Sequence, residues 1–257
     1  MYWLTLLVCG MYLWDGINEV NAKNNTSNIG NSDNTDNSIN ALKKIKLTTK
    51  NSLILKGSVD DKSVSTLIHQ LNKMEKKNEI YLYLDTPGGS VESGQKLISE
   101  IMNHNVSCIA EKAYSMGFAI LQSCVNRYIL RHGKLMMHQV QFGLGGELGK
   151  VDSYVKFVKQ MEYEMTHVMS HRIGLNLEEF KNKILDEWWL YGVFALESNC
   201  ADEMVHVECS KELTKQNYTI TKGTHDIIYS KCPLVTNEID KKKSKTPDKQ
   251  SFFFDFM

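Results

Sequence analysis

An α/β domain on a largely parallel, buried sheet is the architecture this sequence predicts, and two patterns predict it. Short runs of consecutive apolar residues, of strand length, recur between residues 53 and 137. Between them, apolar residues fall at helical spacing. The order begins with Leu53-Ile54-Leu55 as a strand, followed by Val64, Leu67, Ile68, Leu71 and Met74 on one helix face. Ile80–Leu84 is a second strand, stopped by Thr86-Pro87-Gly88-Gly89, and a helical pattern then runs through Leu97, Ile98 and Ile101. Val106–Ala110 is a strand, 116–124 a short apolar helix, and Tyr128–Leu130 and Leu135–Met137 are two further strands. Strand and helix alternating at this pitch imply parallel pairing with helices on the faces, and chemistry at the carboxyl ends of the strands.

Composition limits the partners. The 30 Lys and Arg residues balance the 30 Asp and Glu, so no global field points at nucleic acid or an anionic membrane. The six cysteines contain no CxxC pair, which disfavours a structural metal or a redox motif, and Cys108 and Cys124, lying in apolar runs, read as buried free thiols. No cofactor or metal is expected.

Four segments divide the chain. The apolar opening MYWLTLLVCGMYLW is too short to cross a bilayer but matches a signal-peptide core. With Val20-Asn21-Ala22 as a cleavage site, residues 1–22 are a candidate targeting segment; a loosely packed extension is the alternative, since no Lys or Arg precedes the run. The compartment stays open between cytoplasmic and organellar. Residues 23–51, rich in Asn, Ser, Thr and Lys, read as a disordered linker, 52–210 as the globular domain, and 211–257 as a basic extension that becomes disordered toward its Phe-rich end.

Three features sit at strand ends. Ser115 follows the strand 106–110 at the mouth of the apolar helix, where helix N–H groups and dipole would favour a developing oxyanion; a plain helix N-cap is the competing role. His138 follows Leu135-Met136-Met137 and precedes the Gly-rich 143–146, a place for a general base or for a sheet-edge histidine. Gly88-Gly89 lets backbone N–H groups face a ligand, or simply makes a βα turn.

Together these segments resemble the ClpP family, the proteolytic subunits of the ATP-dependent Clp protease. Ile80–Val91 is similar to the family's strand and Pro-Gly-Gly turn, Ala113–Gly117 to its nucleophile segment, and Leu135–Gln139 to its histidine segment. The resemblance covers roughly residues 52–207. It implies the ClpP/crotonase-like superhelical fold of stacked βα units with a projecting strand-helix handle. It also implies Ser115 as nucleophile, His138 as base, Glu187 as the acidic third member with the adjacent Asp186 as the alternative, and the backbone N–H groups of Gly89 and Met116 as the oxyanion hole. The helix 151–171, with Val151, Tyr154, Val155, Val158, Met161, Met165 and Val168 on one side, would be the handle that docks two rings of seven subunits. The implied partners are peptides or unfolded proteins as substrates, further copies in a ring, and an AAA+ unfoldase.

Departures from the family pattern are local. Tyr114 and Glu111 replace a small residue and a glycine, Val140 replaces a proline, and Trp188 replaces a ring-docking arginine. The expected function is a serine endopeptidase inside an oligomeric chamber, and the alternative is a catalytically weak structural subunit of a mixed ring. An acyl-CoA enzyme of the related crotonase fold would need no Ser/His pair, and a signal peptide peptidase relative would use a Ser/Lys dyad.

Overall fold

The apolar runs become strands covered on both faces. In β3 (Tyr81–Thr86), Leu82 and Leu84 point into one core while Tyr81 and Tyr83 point into another on the opposite face. β4 (Ser107–Tyr114) repeats the device, with Cys108 and Ala110 on the first side and Ile109 on the second. This computed structural model describes residues 42–75, 79–222 and 224–243. The candidate targeting segment 1–22, residues 23–41 of the expected linker and the Phe-rich end lie outside the described residues.

Around these two strands stand β1 (Lys43–Leu47), β2 (Ser52–Lys56), β5 (Arg127–Met137), β6 (Trp188–Tyr191) and β7 (Glu203–Cys209). The strand order is β1-β7-β5-β4-β3-β2, with every neighbouring pair parallel and β6 added antiparallel to β5. The larger core packs this sheet against α1 (Asp61–Leu71), α2 (Val91–His104), α3 (Met116–Gln122) and the C-terminal half of α4 (Leu148–Ile173). α1 starts on a reciprocal capping box: the Ser63 N–H donates to the Asp60 side chain, and the Asp60 N–H donates to Ser63 Oγ. The buried Arg127 guanidinium donates to Asp202, Gln122 and Asn199, satisfying a charge that would otherwise be costly at the start of β5.

Three sequence expectations need correction. Lys43–Leu47, placed by composition in the linker, is β1: Ile45 and Leu47 alternate inward and the strand pairs with β7. The two short strands expected at 128–130 and 135–137 are one, β5, whose first part pairs with β7 and whose last part pairs with β6. Cys108 and Cys124 form a disulfide because β4 and the end of α3 bring their Cα atoms to 5.7 Å. Cys209 and Cys232 form a second, at a Cα separation of 5.9 Å.

Most of the described C-terminal extension is also ordered structure. After α5 (Leu177–Lys183), α6 (Val193–Glu197) and α7 (Lys211–Lys215), the strands β8 (Asn217–Lys222), β9 (His225–Ser230) and β10 (Asp240–Lys243) form an antiparallel sheet in the order β10-β9-β8. The Cys209–Cys232 bond ties this sheet to the end of β7.

The predicted handle is α4. It buries Val158 near its middle and Met165, Met169 and Ile173 in its C-terminal half, whereas Leu148, Tyr154 and Phe157 before them are exposed. Of the predicted stripe, Val158 and Met165 are buried, Val151, Val155 and Met161 half-buried, and Tyr154 and Val168 exposed. The face therefore rotates along the helix. Gln139–Glu147, between β5 and α4, takes up no helix or strand, and all of 141–147 is exposed.

Candidate active site

β4 delivers Ser115 to a sharp elbow before α3. Its backbone has φ 52° and ψ −118°, a region a residue with a Cβ adopts at a cost. Three hydrogen bonds impose it. The Ser115 N–H donates to the Met136 carbonyl at 2.8 Å, and the Ser115 carbonyl accepts from Phe118 N–H at 2.9 Å and Ala119 N–H at 3.3 Å. Ser115 Oγ makes no capping bond to the helix, so the competing N-cap role is not the one this side chain takes.

The hydroxyl faces His138, the first residue after β5. Ser115 Oγ and His138 Nε2 are 2.9 Å apart, and both residues are half-buried. β4 and β5 are parallel neighbours in register through Tyr114 and Met136, so the two strand ends bring serine and histidine together. On the far side of the ring Nδ1 is buried and has no hydrogen-bond partner.

The Gly-Gly turn closes the site from β3. Gly88 has φ +91°, and a Cβ there would stand 2.6 Å from the Tyr114 carbonyl and 2.7 Å from Ser115 Cβ, so only glycine allows this approach. The turn is held by Gly88 N–H donating to Thr86 Oγ1 at 3.0 Å, by Val59 N–H donating to the Gly88 carbonyl at 2.9 Å, and by Ser90 N–H donating to the Val59 carbonyl at 2.8 Å. Met116 is the first residue of α3, where a backbone N–H has no intrahelical acceptor. Met116 follows Ser115 in the chain, and it is Gly88 that packs against the serine, while Gly89, the next residue, bridges to Val59.

Glu187 is where the expectation departs from the structure. Continuing the β5–β6 register by one residue beyond the Met137–Trp188 pair would set Glu187 opposite His138. Instead Glu187 leaves the ladder at φ +70°, and its carboxylate accepts from the Trp189 indole N–H at 2.9 Å. The structure brings together Ser115, His138 and the Gly88-Gly89 turn, and does not bring Glu187 to His138.

The family departures find their places around this site. Trp188 turns into the core against Phe118 and Phe180, and Trp189 meets Tyr114 edge-on with centroids 5.0 Å apart. Glu111 accepts the hydroxyl of the fully buried Tyr83 at 2.6 Å. Burial, then that carboxylate, pushes the Tyr83 phenol well above its ordinary range. Sequence reasoning missed this pair; the signal was a carboxylate at 111 one strand away from a tyrosine of an all-apolar run. Among the described residues no group of three or more His, Cys, Asp or Glu side chains is placed to hold a metal.

Comparison with known proteins places the chain in a family. The family described as Clp protease matches residues 33–208. The chain is 27% identical over 155 residues to ATP-dependent Clp protease proteolytic subunit 2 of Tropheryma whipplei (strain Twist), covering 57% of this chain and 86% of that protein. It is 29% identical over 164 residues to ATP-dependent Clp protease proteolytic subunit 2 of Cutibacterium acnes (strain DSM 16379 / KPA171202), covering 60% of this chain and 77% of that protein.

Proposed function

We propose, from the premise that this chain belongs to the Clp protease family and is a serine endopeptidase of it, that Ser115 attacks the peptide carbonyl with His138 as its base. The observation that carries this reading is the 2.9 Å contact between Ser115 Oγ and His138 Nε2 at a strained elbow that leaves the hydroxyl uncommitted to its helix. As Oγ bonds to the carbonyl carbon, its proton passes to Nε2. The oxygen of the tetrahedral intermediate then takes the negative charge, and the N–H groups of Gly89 and Met116 are the donors that bind it. His138 returns the proton to the departing amine, leaving an acyl-serine. Water, deprotonated by the same nitrogen, hydrolyses that ester and restores Ser115.

Glu187 has no part in this proton path. For Nε2 to accept a proton, the neutral ring must carry its hydrogen on Nδ1, and that buried N–H is without a partner. The opposite tautomer donates to Ser115 and is unproductive. In either neutral tautomer Nδ1 has no partner, so nothing in this arrangement holds the proton on Nδ1 or steadies the ring as Nε2 takes up the serine proton. This observation favours a second reading, a catalytically weak subunit of a mixed ring.

Assembly is proposed through α4 and the segment before it. Phe142, Leu144, Leu148, Tyr154 and Phe157 are all exposed, with Phe142, Tyr154 and Phe157 in ring contact at 6.1 Å and 6.0 Å. A patch of this kind on a projecting element calls for a partner surface, here further copies of the chain in a ring that encloses the sites and receives unfolded protein from an AAA+ unfoldase. The two disulfides support a compartment more oxidising than the cytosol.

Labelling with a fluorophosphonate probe tests the nucleophile. The wild-type chain should label and the Ser115→Ala chain should not; labelling retained after that substitution rejects the reading. Light scattering on the same samples tests assembly, with Phe157→Lys expected to give smaller species.

A further inference from the structure

We infer that the groove between β2 and the C-terminal sheet docks an acidic peptide segment in extended conformation, added as a strand to the free edge of β2. β2 ends the seven-stranded sheet, with β3 as its one neighbour in the strand order. On its β3 side, the Asn51 carbonyl accepts from Tyr81 N–H at 2.8 Å and the Gly57 N–H donates to the Asp85 carbonyl at 3.0 Å. In a parallel ladder this phase commits the odd-numbered residues of β2 to β3 and turns the N–H and C=O groups of Ser52, Ile54 and Lys56 outward.

These outward groups open onto a groove of about 1010 Å³. Its far wall is α7 with β8 and β9, where Tyr218 and Tyr229 stack at 5.5 Å, and the Cys209–Cys232 bond fixes that wall to the body. An unpaired strand edge facing a walled cleft is the arrangement to which extended peptides add. The wall is made of residues beyond 208, outside the stretch that matches the family.

Charge selects the occupant. The groove is lined by Lys50, Lys56, Lys73 and Lys231 against one carboxylate, Glu75. Among the described residues none of the four lysines is in an ion pair. Lysines beside a free edge also repel a second copy of that edge, as they do in sheets that avoid self-association. An edge guarded in this way excludes neutral and basic strands and admits an acidic one. The stacked tyrosines offer apolar area to the side chains of the added strand that face the wall.

The test is fluorescence anisotropy on the full chain carrying Ser115→Ala, so that the probe is not cut. The probes are a labelled octapeptide alternating Val and Glu, its Val/Lys counterpart, and the Val/Glu peptide N-methylated at alternate amides. The Val/Glu peptide should bind at least about tenfold more tightly than the Val/Lys one, and more weakly as NaCl rises from about 50 to about 300 mM. N-methylation, which removes the donors a strand needs and leaves the protein unchanged, should weaken binding by about tenfold. The K56E/K231E variant, checked for unchanged circular dichroism and melting, should lose at least about tenfold in affinity. Equal affinity for the two charge types overturns the inference, as does indifference to N-methylation. Undiminished binding to K56E/K231E places the probe elsewhere, and a dimer that the peptide disperses makes a second copy the occupant; either result also overturns it.

Discussion

Ser115 and Gly192 occupy the same turn. Each ends a strand and starts a short helix, at φ 52° and ψ −118° for Ser115 and φ 51° and ψ −118° for Gly192. Each donates its N–H to a β5 carbonyl, Ser115 to Met136 at 2.8 Å and Gly192 to Gly133 at 2.9 Å. Each accepts at its own carbonyl from the N–H three residues on. At the β6 elbow the chain uses glycine, which enters this region without penalty; a Cβ there would also stand 2.7 Å from the Arg131 carbonyl. At the β4 elbow it keeps a serine and accepts a strain of about 1–3 kcal/mol. Where geometry alone is needed the residue is glycine. Where a hydroxyl must be held against His138 the strained residue is retained.

The sharpest way to break this comparison is to remove the hydroxyl and leave the turn. Ser115→Ala keeps the same strain and loses no cap, so melting should move little while peptide hydrolysis falls by at least about 100-fold. Unchanged hydrolysis would make Ser115 a second Gly192, a turn residue and nothing more. Next in size is the loss of covalent closure. Cys108–Cys124 brackets the serine elbow with a separation of 16 residues, and reduction should cost about 3 kcal/mol in denaturant unfolding.

Exchanging the two elbow residues should move stability in opposite directions. Gly192→Ala should destabilise by about 2 kcal/mol or more, and Ser115→Gly should stabilise by about 1 kcal/mol while abolishing activity. Destabilisation by both would show that the Ser115 turn carries no strain.

Smaller effects separate the strands that feed the elbows. Glu187, at the start of β6, is held by Trp189, so Glu187→Gln should change hydrolysis by less than about threefold, against about four orders of magnitude for a carboxylate paired with the base. A large loss would return Glu187 to the proton path. Cys200, which follows the glycine elbow, is a free, fully buried thiol pushed up to about 12 by burial. It should resist iodoacetamide at pH 8 until the chain unfolds, because the thiolate that reacts is not formed.

Much of this was legible in the residues themselves. Strands placed at 80–84 and 106–110 and the helix at 116–124 could be read because each is a local run whose neighbours on both faces are apolar. Ser115, His138 and the Gly-Gly turn could be placed because each follows such a run directly. β5 was read as two strands because Arg131, His132 and Lys134 interrupt its apolar pattern. Their side chains are exposed where the strand passes from β7 to β6, a change of partner that no local pattern records.

The α/β class, the order of the central elements and the placing of serine, histidine and glycines at strand ends follow from periodicity and turn chemistry within a few residues. Only the tertiary structure decided the rest. Cys108 meets Cys124 through the packing of a helix on a strand, and β1 is a strand because β7, some 160 positions on, offers it an edge. Glu187 turns to an indole two residues away although a histidine lies one register step across. Each is a choice among partners set by long-range contacts and by backbone torsion at one residue, and neither is written in local composition.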